Sequence, residues 1–277
     1  MYHYTIHMNQ PFITKFKKQY NTDFAQFIKK LELQAIETAE ERIPLYVKVN
    51  IKNAKRVLDV GCGSGIVTRD IAHMTRGQVY GIDESPDMIQ VASEILKPYD
   101  NVQLQVSSGE KIPFYDNTFD ITTCNLVLMW TLHPQQVVNE MARVTKQDGV
   151  VLASLEPDYG GKLHYPEDPK VDPIFAGKAI AEKGGDPHIG RKLRCLFTRA
   201  GLQTTVGIGN NRIWSCEEDR SYYQHARDFY IHALRQADLS QQDIDNWEYA
   251  YLQSLDEGIQ LNFFPQFYAI GKKQEIK

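Results

Sequence analysis

From Thr22 onward the apolar residues Phe24, Phe27, Ile28, Leu31, Ala35 and Ile36 return at the spacing of one helical face, with Asn21, Thr22 or Asp23 available as the cap. Pro44, whose missing N–H is harmless in a first turn, predicts the start of a second short helix. The rhythm then changes. Arg56-Val57-Leu58-Asp59-Val60 is a short β-rich run that ends on a glycine cluster, and helical spacing resumes from Ile66 to Met74. The same unit returns as the strand Val79 to Ile82 with the helix Pro86 to Leu96, and the strand Val102 to Val106 follows. The strand Phe119 to Leu128, the helix Pro134 to Val144 and the strand Val150 to Leu155 continue the series.

Strands that alternate with helices at this spacing predict a parallel sheet covered on both faces. The tail departs from that rhythm. After a helix at Gly190 to Ala200 come two strand-like runs, Thr204 to Ile208 and Phe267 to Ile270, separated by a long amphipathic stretch from Cys216 to Leu255. The expected fold is therefore α/β: a doubly wound, mostly parallel seven-stranded sheet with an antiparallel final strand. N-terminal helices precede it, and a helical insertion stands before the last strand. The expected division is a helical cap over residues 1–50 and one domain over residues 51–277, with the insertion at about 216–258.

Composition narrows the classes. The 277 residues are 42% hydrophobic and 24% charged, which excludes a fibrous or disordered chain. The run Ile121 to Leu132 is broken by Thr122, Thr123 and Asn125 and is too short for a bilayer, so no membrane partner is expected. Met1 to Gln10 lacks the basic end and continuous apolar stretch of a secretory signal, and a cytoplasmic location is expected. Lys and Arg number 31 against 35 Asp and Glu, so no global positive field collects polyanions and nucleic acid is disfavoured. Cys62, Cys124, Cys195 and Cys216 form no Cys-x-x-Cys pair, and they read as reduced packing residues. No metal-ligand constellation is recognisable.

The chemistry concentrates after the first strand. Asp59-Val60-Gly61-Cys62-Gly63-Ser64-Gly65 joins a strand to a helix; its glycines admit close backbone approach, and the helix presents free N–H groups. One strand later, Gly81-Ile82-Asp83 ends on a carboxylate that can accept both hydroxyls of a ribose. Taken singly, the glycines read equally as a tight turn and Asp83 as a cap for the helix opening at Ser85 and Pro86. Together they point to an adenosine ligand. Gly65 comes one residue early for the dinucleotide fingerprint, which disfavours a nicotinamide oxidoreductase.

With these residues in view, the sequence resembles the Rossmann-like (class I) S-adenosylmethionine-dependent methyltransferases of the small-molecule branch. The resemblance rests on Val57 to Gly65, on Gly81-Ile82-Asp83 with Ser85 and Met88, and on Glu110 to Phe114 before Phe119-Asp120. Arg143-Val144 and Gly149-Val150 extend it. It covers about Leu45 to Leu155, with a fainter match over Phe267 to Lys272. It implies S-adenosyl-L-methionine as cofactor, with Gly61, Cys62, Gly63 and Gly65 against the methionine part and Asp59 ordering that loop or holding the amino group. Asp83, with Glu84 beside it, would take the ribose hydroxyls. Met88 would pack beside the adenine, and Asn125 would lie near the sulfonium. Ser108, Gly109 and Glu110 would form the adenine side, although Ser107-Ser108-Gly109 stands where the family often has Gly-Asp-Ala.

For the acceptor side the expectation falls on Glu156, Asp158 and Tyr159, because ligands bind at strand C-termini and Gly160 and Gly161 let the segment bend. The same residues also read as a solvated strand end. His133, His164 and His188 are weaker candidates for a base. Tyr222, Tyr223, Phe229, Tyr230, Trp247, Tyr249 and Tyr251 read as core of the insertion ahead of an apolar acceptor pocket. Lys15, Lys17, Lys18, Lys29 and Lys30 read as a solvated face. The expected activity is transfer of a methyl group to an O, N or C atom of a small molecule, with a homodimer as an allowed assembly. An RNA or protein acceptor and a non-catalytic partner subunit stand as alternatives.

Overall fold

The computed structural model describes residues 22–182, 184–210 and 213–274. Lys15, Lys17, Lys18 and the first part of the expected N-terminal cap lie outside the described residues, as does the Phe229 side chain; Lys29 and Lys30 are exposed. Helix α1 (Thr22–Glu37) and helix α2 (Ala39–Lys48) follow one another with only Thr38 between them. Pro44 does not start a helix. It sits inside α2 with its ring in solvent, where one lost backbone bond is outweighed by continuity of the buried face Arg42, Leu45, Tyr46 and Val49.

The alternating part then builds as expected: β1 (Arg56–Val60), α3 (Ile66–Met74), β2 (Gln78–Asp83), α4 (Pro86–Ile95), β3 (Val102–Val106), β4 (Phe119–Cys124), α5 (Pro134–Val144) and β5 (Thr145–Pro157). Local chemistry sets the starts. Ser85 caps α4 by accepting from the N–H of Met88, with Pro86 at the first helical position. β4 stops four residues earlier than the apolar run suggests, because Leu126 turns into the left-handed region at φ 57°. The rest comprises β6 (Leu163–Tyr165), a π-turn at Ile174–Lys178, α6 (Ala179–Glu182), α7 (Ile189–Arg199), β7 (Leu202–Asn210), α8 (Cys216–Gln236), α9 (Gln241–Asp256), β8 (Leu261–Phe263) and β9 (Gln266–Lys273). A capping box between Ser215 and Glu218 opens α8.

Seven strands form one sheet in the order β3-β2-β1-β4-β5-β9-β7, with β9 antiparallel to both neighbours, as the sequence predicts. β6 and β8 make a separate two-stranded ribbon. One apolar cluster fills the face under α5 and α7, with Met141, Leu193 and Phe197 fully buried. A second lies under α2 and α3 with Tyr46, Ile71 and Leu152. α8 and α9 pack on each other over a third cluster around Tyr223, Leu234 and Trp247. The order reverses between β1 and β4, so the loops leaving these strands diverge and leave a crevice at their C-terminal ends. Among the described residues no helix is long and apolar enough to cross a membrane.

Candidate active site

Four loops converge at that crevice. Gly61 and Cys62 both donate their N–H groups to the carbonyl of Ile82, at 2.8 and 2.9 Å, which pins the glycine loop to the end of β2. Gly63 donates its N–H to Asp83 Oδ2 at 2.9 Å, and Ser85 donates to Asp83 Oδ1 at 3.0 Å. Ser107 donates its N–H to the carbonyl of Asp83 at 2.9 Å, which brings the loop after β3 alongside. In that loop Ser108 Oγ accepts from the N–H of Glu110. Gly61, Gly63 and Gly65 all have positive φ. A Cβ on Gly61 or Gly65 would collide with packed side chains, whereas one on Gly63 would meet nothing within 4 Å. Gly63 therefore turns an unobstructed backbone face toward the crevice.

Beneath the loop lies a buried polar cluster. Asp59, 1% exposed, accepts from Thr68 Oγ1 at 2.6 Å, tying the end of β1 to α3. Arg42 is fully buried; it donates to Asp70 Oδ2 at 2.6 Å, to Thr38 Oγ1 at 2.9 Å and to the carbonyl of Ala35 at 3.0 Å. Desolvation pushes the Asp59 carboxyl up to about 7, against the opposing pull of the Thr68 bond and of Arg42. Thr123 Oγ1 is buried without a hydrogen-bond partner among the described residues, and Thr123 is the strand neighbour of Asp59. A buried acid, an orphaned hydroxyl and an open glycine face make a site suited to a polar, cationic ligand.

The acceptor-side expectations need correction. Glu156 is neither solvated nor open to a ligand: it is fully buried and its carboxylate accepts the N–H groups of Val127, Leu128 and Met129 at 2.9, 3.0 and 3.3 Å. It closes the left-handed turn at Leu126. Burial pushes its carboxyl up to about 7 in spite of these three donors. Asp158, 2% exposed, takes Arg191 Nε at 2.5 Å and Nη2 at 2.7 Å, a two-pronged pair that fastens β5 to α7. Tyr159 follows them, its N–H donating to the carbonyl of Pro187 at 2.9 Å. Its ring lies 4.7 Å from that of Phe264, and burial pushes its phenol up to about 12.

The other predicted residues fall as follows. Asn125 Oδ1 accepts from Ser154 Oγ at 2.8 Å at the end of β4. Met88 is buried against Ile28 and Val91 under α1, where it packs the N-terminal helix onto α4. Glu84 is exposed, and Gly109 packs against Val60 and Val137. Sequence reading missed Arg42, Tyr46, Thr68 and Thr123. The signal for Arg42 was present: it stands in phase with Leu45, Tyr46 and Val49, a cation on an apolar stripe.

Comparison with known proteins adds four findings. The family described as a methyltransferase domain matches residues 58–153, the span from β1 into β5. An uncharacterized methyltransferase of Schizosaccharomyces pombe is 31% identical over 62% of this chain and 67% of its own length. A demethylmenaquinone methyltransferase of Bacillus licheniformis is 33% identical over 56% of this chain and 73% of its own. Among solved structures, the YcgJ protein of Bacillus subtilis superposes with a TM-score of 0.56 at 21% identity, over 85% of this chain and 99% of that one, a likeness of fold.

Proposed function

The chain belongs to the S-adenosylmethionine-dependent methyltransferases, and from that premise we propose that it methylates an O, N or C nucleophile on a small organic molecule, with S-adenosyl-L-methionine seated in the crevice at the ends of β1 to β4. The observation that carries this reading is the coupling of the glycine loop to Asp83. The carboxylate spends one lone pair on Gly63 and one on Ser85, which leaves acceptor capacity for a pair of ribose hydroxyls. The open face of Gly63 suits the aminoacyl part, the 108–110 turn the adenine, and Asn125 the neighbourhood of the sulfur. The relatives named for demethylmenaquinone favour a small organic acceptor.

When bound, S-adenosyl-L-methionine supplies a methyl group on a cationic sulfur. The chain's residues then have little acid–base work to do. Val127, packed against the glycine loop, and the turn that Glu156 holds set one wall of the crevice. Alignment of donor and nucleophile contributes roughly 7 to 11 kcal/mol of barrier reduction when the geometry is near-attack. Tyr159 is a hydrogen-bond donor to the acceptor; a phenol held near 12 is a poor base at neutral pH.

Incubation with methyl-labelled S-adenosyl-L-methionine and a metabolite extract, followed by mass spectrometry, tests the proposal. The expected result is a small product heavier by one labelled methyl. Cofactor binding without any labelled product, or a melting temperature raised by a nicotinamide cofactor and not by S-adenosyl-L-methionine, would refute it.

A further inference from the structure

On the face of the sheet beneath α2 and α3, the strand ends next to the glycine loop carry polar side chains among apolar ones. Asp59, Thr123 and Leu152 are register partners across β1, β4 and β5, so Asn125 and Ser154, two residues further along their strands, continue that face. Ser154 is fully buried, and its Oγ lies 2.8 Å from Asn125 Oδ1 and 3.2 Å from the carbonyl of Cys124. The phenol of Tyr46, also fully buried, comes to the same hydroxyl from α2. A serine has a single proton to give. The phenol donates to Ser154 Oγ, and the serine proton goes to the nearer acceptor, Asn125 Oδ1.

This fixes which way the amide faces. A carboxamide is planar with oxygen and nitrogen at opposite corners, so an Oδ1 turned to buried Ser154 leaves Nδ2 turned to the open side. Asn125 is half-buried, and among the described residues its Nδ2 makes no hydrogen bond and is not sealed from solvent. Cys124 is the register partner of Val60, which sets Asn125 at the level of Gly61 in the crevice. The acids around the crevice are held elsewhere: Asp59 by Thr68, Asp83 by Gly63 and Ser85, and Glu156 by the N–H groups of Val127, Leu128 and Met129.

We propose that Ser154, backed by Tyr46, is a positioning residue that aims an N–H of Asn125 at the methyl acceptor, and that the acceptor is a delocalised oxyanion (a phenolate, enolate or carboxylate) and not an amine. This rests on the methyl-transfer reading given above. Lone pairs decide between the acceptors. A reactive amine has a single lone pair, which must face the methyl group, and nothing is left to accept from Asn125. An oxyanion keeps further lone pairs for the amide after one is committed to the new bond, and an enolate that reacts at carbon keeps those of its oxygen. An N–H aimed toward a cationic sulfur also has the wrong sign unless an electron-rich atom stands between them. In the transfer, an electron pair of the oxygen, or of the enolate carbon, forms the new bond to the methyl carbon while the methyl–sulfur bond breaks and its pair stays on sulfur. One anion and one cation are neutralised together, and no proton moves in the step. The amide's contribution is orientation of the acceptor.

The product formed by the full-length chain from methyl-labelled S-adenosyl-L-methionine and a metabolite extract is the first test. Carbon NMR is expected to find the label on oxygen, or on a carbon next to an oxygen-bearing one, and tells these apart. A label on nitrogen overturns this inference and leaves methyl transfer standing, whereas no labelled product overturns both. The second test needs no turnover: the calorimetric preference for S-adenosyl-L-methionine over the uncharged S-adenosyl-L-homocysteine. Asn125→Asp keeps an acceptor for Ser154 and puts an oxygen where the N–H was, so that preference is expected to rise about tenfold while turnover of the oxyanion falls about a hundredfold. An unchanged preference, or faster turnover, overturns the proposal. Ser154→Ala is expected to lower kcat about tenfold with cofactor affinity unchanged, and Ser154→Thr, which keeps the hydroxyl, to restore it. A wild-type kcat in Ser154→Ala removes the positioning role. Should that variant fold poorly, the Asn125→Asp comparison decides by itself.

Discussion

Gly61 and Val127 compete for one space: a Cβ built on Gly61 would stand 2.5 Å from Val127 Cγ2, and the backbone there has φ +70°. The loop after β1 and the turn after β4 are thus locked by the absence of a side chain. Gly61→Ala must displace Val127 and hold an alanine in the left-handed region, at a combined cost of about 2 to 5 kcal/mol. The expected outcome is a lowered melting temperature and at least about tenfold weaker S-adenosyl-L-methionine binding by calorimetry. Adding Val127→Ala should restore part of the stability, since it removes the collision and leaves the φ strain. No recovery in the double variant would place the damage elsewhere.

Asp83 links three loops, through Gly63, Ser85 and Ser107. Asp83→Ala leaves two backbone N–H groups of a half-buried turn without their acceptor and removes the proposed ribose contact. We expect cofactor affinity to fall by about ten- to a hundredfold, as for loss of one or two charge-assisted bonds, with circular dichroism unchanged. Unaltered affinity would reduce the carboxylate to a turn-former.

Much of this arrangement is legible in the chain, and the failures have physical causes. Period-two and period-3.6 patterning located every strand of the main sheet, because a doubly wound sheet makes its strands short apolar runs between helices. Asp83, Gly61 and Gly63 stand out in the sequence because their chemistry is local to a turn. Glu156 and Asp158 were misread because a carboxylate at a strand end looks the same in sequence whether it faces water or three amides; the partners, Val127 to Met129 and Arg191, lie 27 to 33 residues away. The aromatic residues of the insertion divide in the structure, with Tyr223 and Trp247 in its core and Tyr249 70% exposed.

Arg42 and Asp70 make a buried pair that holds α2 against α3 directly below the glycine loop. Arg42→Met leaves the buried Asp70 carboxylate only its longer 3.5 Å ion pair with Arg69 and is expected to destabilise the chain by up to about 3 to 5 kcal/mol. The double variant Arg42→Met with Asp70→Leu should recover most of that loss, since an apolar pair needs no compensation. Chemical denaturation of the three variants measures it; an equally unstable double variant would mean that the bonds of Arg42 to Thr38 and Ala35 are the main contribution.

The same buried acids fix how stability responds to pH. Asp59 and Glu156 both titrate near 7 in the folded chain, against ordinary values of 3.8 and 4.5. Between those limits the folded state holds more protons than the unfolded one, so stability falls as pH rises from about 4 to 7 and levels off above. Asp120, Glu140 and Asp186 act in the opposite sense, because their depressed carboxyls contribute stability that is lost only as pH drops below about 4. The melting temperature is therefore expected to peak near pH 4 and to decline toward neutrality, a change on the order of a few kcal/mol at about 1.4 kcal/mol per unit. Asp59→Asn and Glu156→Gln should each flatten the neutral limb without removing the acid one. Thermal melts from pH 2.5 to 8 give the comparison, and a wild-type melting temperature that climbs steadily to pH 8 would show that neither acid is held protonated by its burial.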